Sequence, residues 1–147
     1  MPTSWPIPEG VRVTKDGAWR VGGFPVIHAP SLRHLKQHLV FEDAGVFIAD
    51  GDQRLPVLVE GPPLEVLSLH MDESCGEVSA VLDDGSEETL DGAEMNAETG
   101  RFECWAHGGR ARAVFSRAAH QVLLDHVSEE DGRFYLRVGP RRLPILT

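Results

Sequence analysis

A chain of 147 residues is long enough for one ordinary domain and can bury roughly 70% of the surface its unfolded form exposes, so no disulfide or metal staple is required. With 41% hydrophobic and 25% charged residues it has the composition of a globular protein. Fourteen basic against 23 acidic side chains leave a net charge of -9, which excludes a uniformly basic binder of duplex nucleic acid and argues against an acidic membrane surface as partner.

Residues 1–16 read as an N-terminal lead-in. Its start has no basic flank and no apolar run, and no later stretch approaches the roughly 18 apolar residues of a membrane span, so a cytoplasmic protein is expected. Trp5, among prolines, is expected to clip the lead-in to the body. Residues 17–60 form a first lobe. A strand ends at Gly22-Gly23, two flexible residues suited to a tight hairpin, and a second strand returns. Ser31 is the expected N-cap of a helix that carries Leu32, Leu35 and Leu39 on one face and stops at Asp43-Ala44-Gly45. Val46-Phe47-Ile48 and a Leu55-Pro56 strand follow, the proline pointing to a sheet edge.

Residues 61–101 connect the lobes through antiparallel strands, expected at Leu64–Leu69 and Glu77–Leu82 with turns at Gly61-Pro62-Pro63, Asp83-Asp84-Gly85 and Asp91-Gly92. From 60 to 103 there are 13 carboxylates and one arginine, a charge of -12. Acids alternating with apolar residues describe the solvated face of a one-sided sheet. A calcium loop would need the D-x-D-x-D-G pattern, which is missing.

Residues 102–147 repeat the first lobe. Trp105 aligns with Trp19, Gly108-Gly109 with Gly22-Gly23, Ser116 with Ser31, Gly132 with Gly45, and Leu143-Pro144 with Leu55-Pro56. Ser116 is again a cap, for a helix striped by Ala119, Val122, Leu123 and Val127 that runs toward Asp131-Gly132. The expected fold is therefore α+β, an internal duplication of a β-β-α-β-β unit with antiparallel sheets.

Chemistry is harder to read. His34 and His38 share a helix face at i, i+4, as paired metal ligands do, with His28 a conceivable third; polar or half-buried histidines fit the same spacing. Cys75 and Cys104 form no CxxC pair and carry no signature of a catalytic thiol, and neither a GxSxG elbow nor a phosphate-cradling glycine loop is present. No catalytic motif and no cofactor are expected. Arginine offers more. Arg110 and Arg112 share a strand face by the period of two, and Arg117 opens a helix, so the three form a candidate anion site with Trp105 as its wall. Pairing of the same arginines with the acidic middle sheet is the simpler reading, because surface arginines opposite an acidic sheet need no ligand. Trp19 and Trp105, at duplicated positions, are expected to be packing anchors, or else a stacking surface in the groove between lobes.

Val11-Arg12-Val13, Asp16-Gly17-x-Trp19, Gly23-x-Pro25-Val26, Val59-Glu60-Gly61-Pro62-Pro63, Glu98-Thr99-Gly100, Val114-Phe115-Ser116-Arg117 and Leu143-Pro144-Ile145 together resemble the bacterial domain of unknown function 1285 family, DUF1285, from about residue 10 onward. The resemblance implies a duplicated α+β fold, a second lobe somewhat like a pleckstrin-homology domain, a ligand cleft between lobes and a role in bacterial signalling. This chain is shorter than typical members. It has His28 and His107 where the family leads one to expect arginines, which would make any anion site weaker or pH-dependent.

The functional expectation is a non-enzymatic binding module that recognises a small anionic ligand, or a protein partner, at the inter-lobe groove. Arg110, Arg112 and Arg117 would supply charge, His28 and His107 tunable donors, and Trp105 a hydrophobic wall. The alternatives are a metal-dependent hydrolase using His34 and His38, and a structural interaction protein whose acidic sheet is the interface. Edge strands at Leu55-Pro56 or Leu143-Pro144 would offer a route to a homodimer.

Overall fold

The structure, a computed structural model, describes residues 10–147, so the expectation for Trp5 lies outside the described residues. The chain opens with β1 (Val11–Val13), β2 (Trp19–Val21) and β3 (Phe24–Pro25), passes through helix α1 (Ala29–Gln37), and continues as β4 (Leu39–Glu42), β5 (Gly45–Asp50) and β6 (Gln53–Val59). These six strands form one sheet in the order β3-β2-β1-β6-β5-β4. The acidic stretch supplies β7 (Leu64–Asp72), β8 (Glu77–Leu82) and β9 (Glu87–Thr89). Then come β10 (Ala93–Met95), β11 (Phe102–Ala106), β12 (Ala111–Phe115), helix α2 (Arg117–Leu124), β13 (Val127–Glu130), β14 (Arg133–Val138) and β15 (Arg141–Leu146). The second sheet has nine strands in the order β13-β14-β15-β10-β11-β12-β7-β8-β9. The composition of elements is α+β.

The strands from β10 onward are ordered in space as those of the first sheet are: β12-β11-β10-β15-β14-β13 against β3-β2-β1-β6-β5-β4. In both, the central pair is parallel, β1 with β6 and β10 with β15, and its neighbours are antiparallel. Each set is therefore β-β-β-α-β-β-β, one strand longer at either side of the helix's hairpins than the β-β-α-β-β unit expected. The added strands come from stretches expected to serve otherwise: β1 from the lead-in, β10 from the acidic connector, and β4 and β13 from the ends of the expected helices.

Four further expectations are corrected. The cap of α1 is His28, whose Nδ1 faces the Ser31 amide at 3.4 Å and the Ser31 hydroxyl at 2.8 Å, because Pro30 at the helix start shifts the first turn three residues upstream of the expected Ser31. Ser116 does cap α2, its Oγ accepting from the Ala119 amide at 3.2 Å. Both helices also stop earlier than their apolar stripes suggest. His38 and His126 donate from Nδ1 to the carbonyls of His34 and Val122, at 2.8 and 3.0 Å, while their own carbonyls accept from the amides of Ala49 and Arg137 in the next strands. Those bonds release Leu39 and Val127 into β4 and β13.

The proline strands are not edges. β6 lies between β5 and β1, and β15 between β14 and β10. In both, pairing with the parallel partner starts one residue after the proline, at Val57 and Ile145, so on that flank the missing N–H costs no ladder bond. These strands consequently have no free edge with which to pair between chains. Finally, Trp19 faces Val13 across β1–β2, whereas Phe102 faces Met95 across β10–β11, so the counterpart of Trp19 is Phe102 and not Trp105.

Each unit has its own core. Val11, Val13, Trp19, Leu35, Ile48 and Val57 fill the first. The second is larger and includes Leu64, Val66, Leu82, Phe115, Leu123 and Leu136, with Ala119 and Leu123 seating α2 against it. Burial of each large side chain contributes about 1.5–3 kcal/mol. The joint between the units combines apolar packing of Leu39 and Phe41 against the second core with specific polar bonds. Trp19 Nε1 donates to the Pro63 carbonyl at 3.1 Å, and Lys36 of α1, almost fully buried, pairs with Asp83, whose other oxygen accepts from the Glu65 amide at 2.9 Å. Gly61 is obligatory here, since a Cβ on it would lie 2.3 Å from the Thr14 carbonyl oxygen.

Candidate ligand-binding cleft

The β11–β12 hairpin organises the cleft by its alternation. Phe102, Cys104, Ala106, Ala111, Ala113 and Phe115 point into the core, which leaves Glu103, Trp105 and Arg112 on the opposite face. Register sets Trp105 directly across from Arg112. Arg112 then reaches Glu103 Oε1 from Nε (3.1 Å) and Nη2 (2.8 Å), and Glu94 Oε2 from Nη1 (2.9 Å), with its guanidinium 4.6 Å from the centre of the Trp105 ring. Glu103 is buried, and its second oxygen accepts from Asn96 Nδ2 at 2.9 Å. Burial works against the charge on Arg112, but the bonds from Glu103 and Glu94 outweigh it and raise its pKa above the ordinary arginine value.

Beside this network lies a cleft of about 390 Å³ between the two units, lined by Lys15, Glu60, Asn96, Glu98, Glu103 and Arg112. Lys15 comes from the first unit, Glu60 from the joint, and the rest from the second. Glu60 is tied at 3.2 Å to Arg12, whereas Lys15 is exposed and makes no ion pair among the described residues. The lining thus mixes charges of both signs, with Lys15 the cation left to an incoming group.

Of the residues singled out from sequence, Trp105 and Arg112 come together, and Arg112 borders the cleft. The others do not join them. Arg110 stands in the turn rather than in the strand, so the period of two does not apply to it, and it bonds to Asp43 (3.2 Å) and the Phe41 carbonyl (3.3 Å) of the first unit. Arg117 is exposed on α2, which packs on the face of the sheet opposite to Arg112. His28 is spent as a helix cap. His107, with a positive φ of 52°, stacks on Phe41 at 4.9 Å and bonds through Nε2 to Asp84 at 2.9 Å. Two arginines are therefore paired with carboxylates inside the molecule, and only Glu94 and Glu103 of those partners belong to the acidic stretch.

Burial opposes ionisation of Asp84, but bonds from Ser86 and His107 prevail and hold its carboxyl below the ordinary value. Cys104 is the opposite case: burial pushes its thiol up to about 12, so it carries no reactive thiolate near neutrality. The rings of His34 and His38 lie 4.3 Å apart, yet no cluster of three potential metal ligands occurs among the described residues. Sequence reasoning missed Lys15, Asn96 and Glu103. A signal for the last was available: a lone glutamate between two inward residues of a hairpin strand sits on the face where the partner strand presents Arg112.

No protein-family model matches the chain, and no curated protein matches it significantly. Solved structures do. A DUF1285 family protein from Silicibacter pomeroyi DSS-3 superposes with a TM-score of 0.71 at 17% identity, over 95% of this chain and 81% of that one. This chain has the DUF1285 fold. A second DUF1285 family protein, from Shewanella baltica OS155, gives a TM-score of 0.58 at 13% identity, over 78% of this chain and 90% of the other. At such identities the likeness concerns the path of the chain, and the DUF1285 fold reaches across both units described above. No helix among the described residues is long and apolar enough to cross a membrane.

Proposed function

We propose that this DUF1285-like chain is a non-enzymatic binding module whose ligand, a small molecule bearing an anionic group, enters the cleft between the two units. The observation that carries the reading is the cleft itself: about 390 Å³, with charged groups drawn from both units and a rigid wall built by the Arg112–Glu103–Asn96 network. Lys15 supplies the free charge, and Glu60, Glu98 and Asn96 offer partners for hydroxyl or amino groups beside it. The ligand best matched is therefore a carboxylate or phosphate that also carries hydrogen-bond donors. Arg112 contributes through the wall it fixes, since its fork is already engaged.

The same proposal reads the two units as copies of one ancestral half. Identical strand order, the parallel central pair in each and the matching histidine helix stops at His38 and His126 support it. A cytoplasmic setting accords with free Cys75 and Cys104, one exposed and one buried.

A thermal-shift screen of amino acids, hydroxy acids, nucleotides and inorganic phosphate tests the reading, because a ligand at about 100 times its Kd adds ~2.7 kcal/mol to the native state. Lys15→Ala is expected to abolish the shift while leaving the melting temperature of the free protein unchanged. A ligand that stabilises Lys15→Ala as well as the parent, or the absence of any stabilising anion, sinks the cleft as the site.

A further inference from the structure

A second concavity lies on the other side of the Arg112 network, and its construction is specific. Glu94 pairs with both Glu103 and Leu146, and Ala93 with Ile145. Continuing those ladders toward the start of β10 places Gly92 between Trp105 and Pro144, on the face opposite to the core. Gly92 has no positive φ to explain it. A Cβ there would lie 2.6 Å from the Pro144 carbonyl oxygen and 3.4 Å from Pro144 Cγ, so only glycine lets Pro144 pack this close to β10. Along this approach runs a slot of about 310 Å³ with Trp105 on one side, Pro144 and Leu146 on the other and Gly92 between them.

Trp105 is 51% exposed and Leu146 58%, two large apolar side chains on the same outer face, one on either side of β10. One face of the indole is covered by Arg112, whose guanidinium is itself paired with Glu94 and Glu103, and half of Trp105 stays accessible to solvent. The charged side chains lining the slot are Asp91 and Glu94, both acidic. An apolar slot with an aromatic wall and a carboxylate rim complements one ligand chemistry.

We propose that this slot binds a small organic cation with a flat apolar body. The body stacks between Trp105, on its side away from Arg112, and Pro144, and an ammonium, amidinium or guanidinium group faces Asp91, with Glu94, already shared with Arg112, beside it. Stacking supplies the apolar contact, and the rim selects the charge. The site does not depend on the cleft between the units, from which the Arg112–Glu94–Glu103 wall separates it.

The test uses benzamidine as the planar cation, with benzamide and benzoate as its neutral and anionic counterparts. Binding is followed by calorimetry and by the indole N–H resonance of Trp105, assigned from its loss in Trp105→Phe. Benzamidine is expected to shift that resonance saturably, benzamide to bind at least about fivefold more weakly and benzoate not at all. Trp105→Ala should abolish binding, and Asp91→Asn, at an exposed position that leaves the fold intact, should weaken it about fivefold. Lys15→Ala should leave it unchanged, which separates this site from the cleft. Equal affinity for benzamide, full binding by Trp105→Ala or Asp91→Asn, or a Trp105 resonance indifferent to benzamidine would each overturn the proposal.

Discussion

Arg112 shows how a residue chosen for its charge can serve by being neutralised. Its three bonds to Glu103 and Glu94 tie β10, β11 and β12 together on the outer face of the sheet. Glu103→Gln removes the charge that matches Arg112 at a buried position, and a loss of about 2 kcal/mol is expected in urea unfolding, below the range for fully buried pairs because Arg112 keeps partial access to water. Asp84 gives a pH dependence with a definite sign. Its carboxyl is held below the ordinary 3.8, so the stability it contributes is complete above that pH and is lost as pH falls through the lower folded value. Asp84→Asn should therefore lower stability at pH 7 and flatten the acid limb of a stability profile measured below about pH 4.

At the scale of single elements, the two helices differ in how they begin and agree in how they end. Ser116 accepts from the Ala119 amide and donates to the Leu67 carbonyl at 3.2 Å, so it joins α2 to β7 as well as capping it. Ser116→Ala is expected to cost about 1–2 kcal/mol by thermal unfolding, and His28→Ser, which puts a preferred cap in place of a long imidazole contact, to gain a few tenths of a kcal/mol, about 0.3. The strands and turns were largely readable from sequence. The β7–β8 hairpin, its neighbouring Asp83-Asp84-Gly85 turn and the Gly22-Gly23 turn follow from alternation and from glycines at positive φ. Helix ends were not, because Leu39 and Val127 extend the apolar stripe at helical spacing. Only the bonds from Ala49 and Arg137 to the histidine carbonyls assign the following residues to strands.

For the whole molecule the joint between the units matters most. The Lys36–Asp83 pair crosses from α1 to the β8–β9 turn and is almost closed to solvent. Lys36→Met leaves Asp83 without its cation and is expected to destabilise by about 3 kcal/mol, whereas Lys36→Met combined with Asp83→Asn should recover part of that loss. Denaturant unfolding of the two variants checks both statements. Phe41, Asp43, His107 and Arg110 form a second crossing, through the His107 stack and the Arg110 bonds. This is why two of the expected ligand-binding residues are occupied: each reaches across the joint to a partner more than 60 positions away in the chain.

Composition, hydrophobic period and turn chemistry were sufficient for the α+β class, the hairpins and the acidic middle strands, since each depends on residues a few positions apart, and the family likeness rested on the order of short motifs along the chain. Three-dimensional packing alone decided that β1 and β10 lie in the interior of their sheets, that the prolines sit inside them, and that Arg110, Arg112 and Arg117 part company. A strand's period states which residues share a face. What lies opposite that face is set by contacts across the whole chain, and no local pattern contains them.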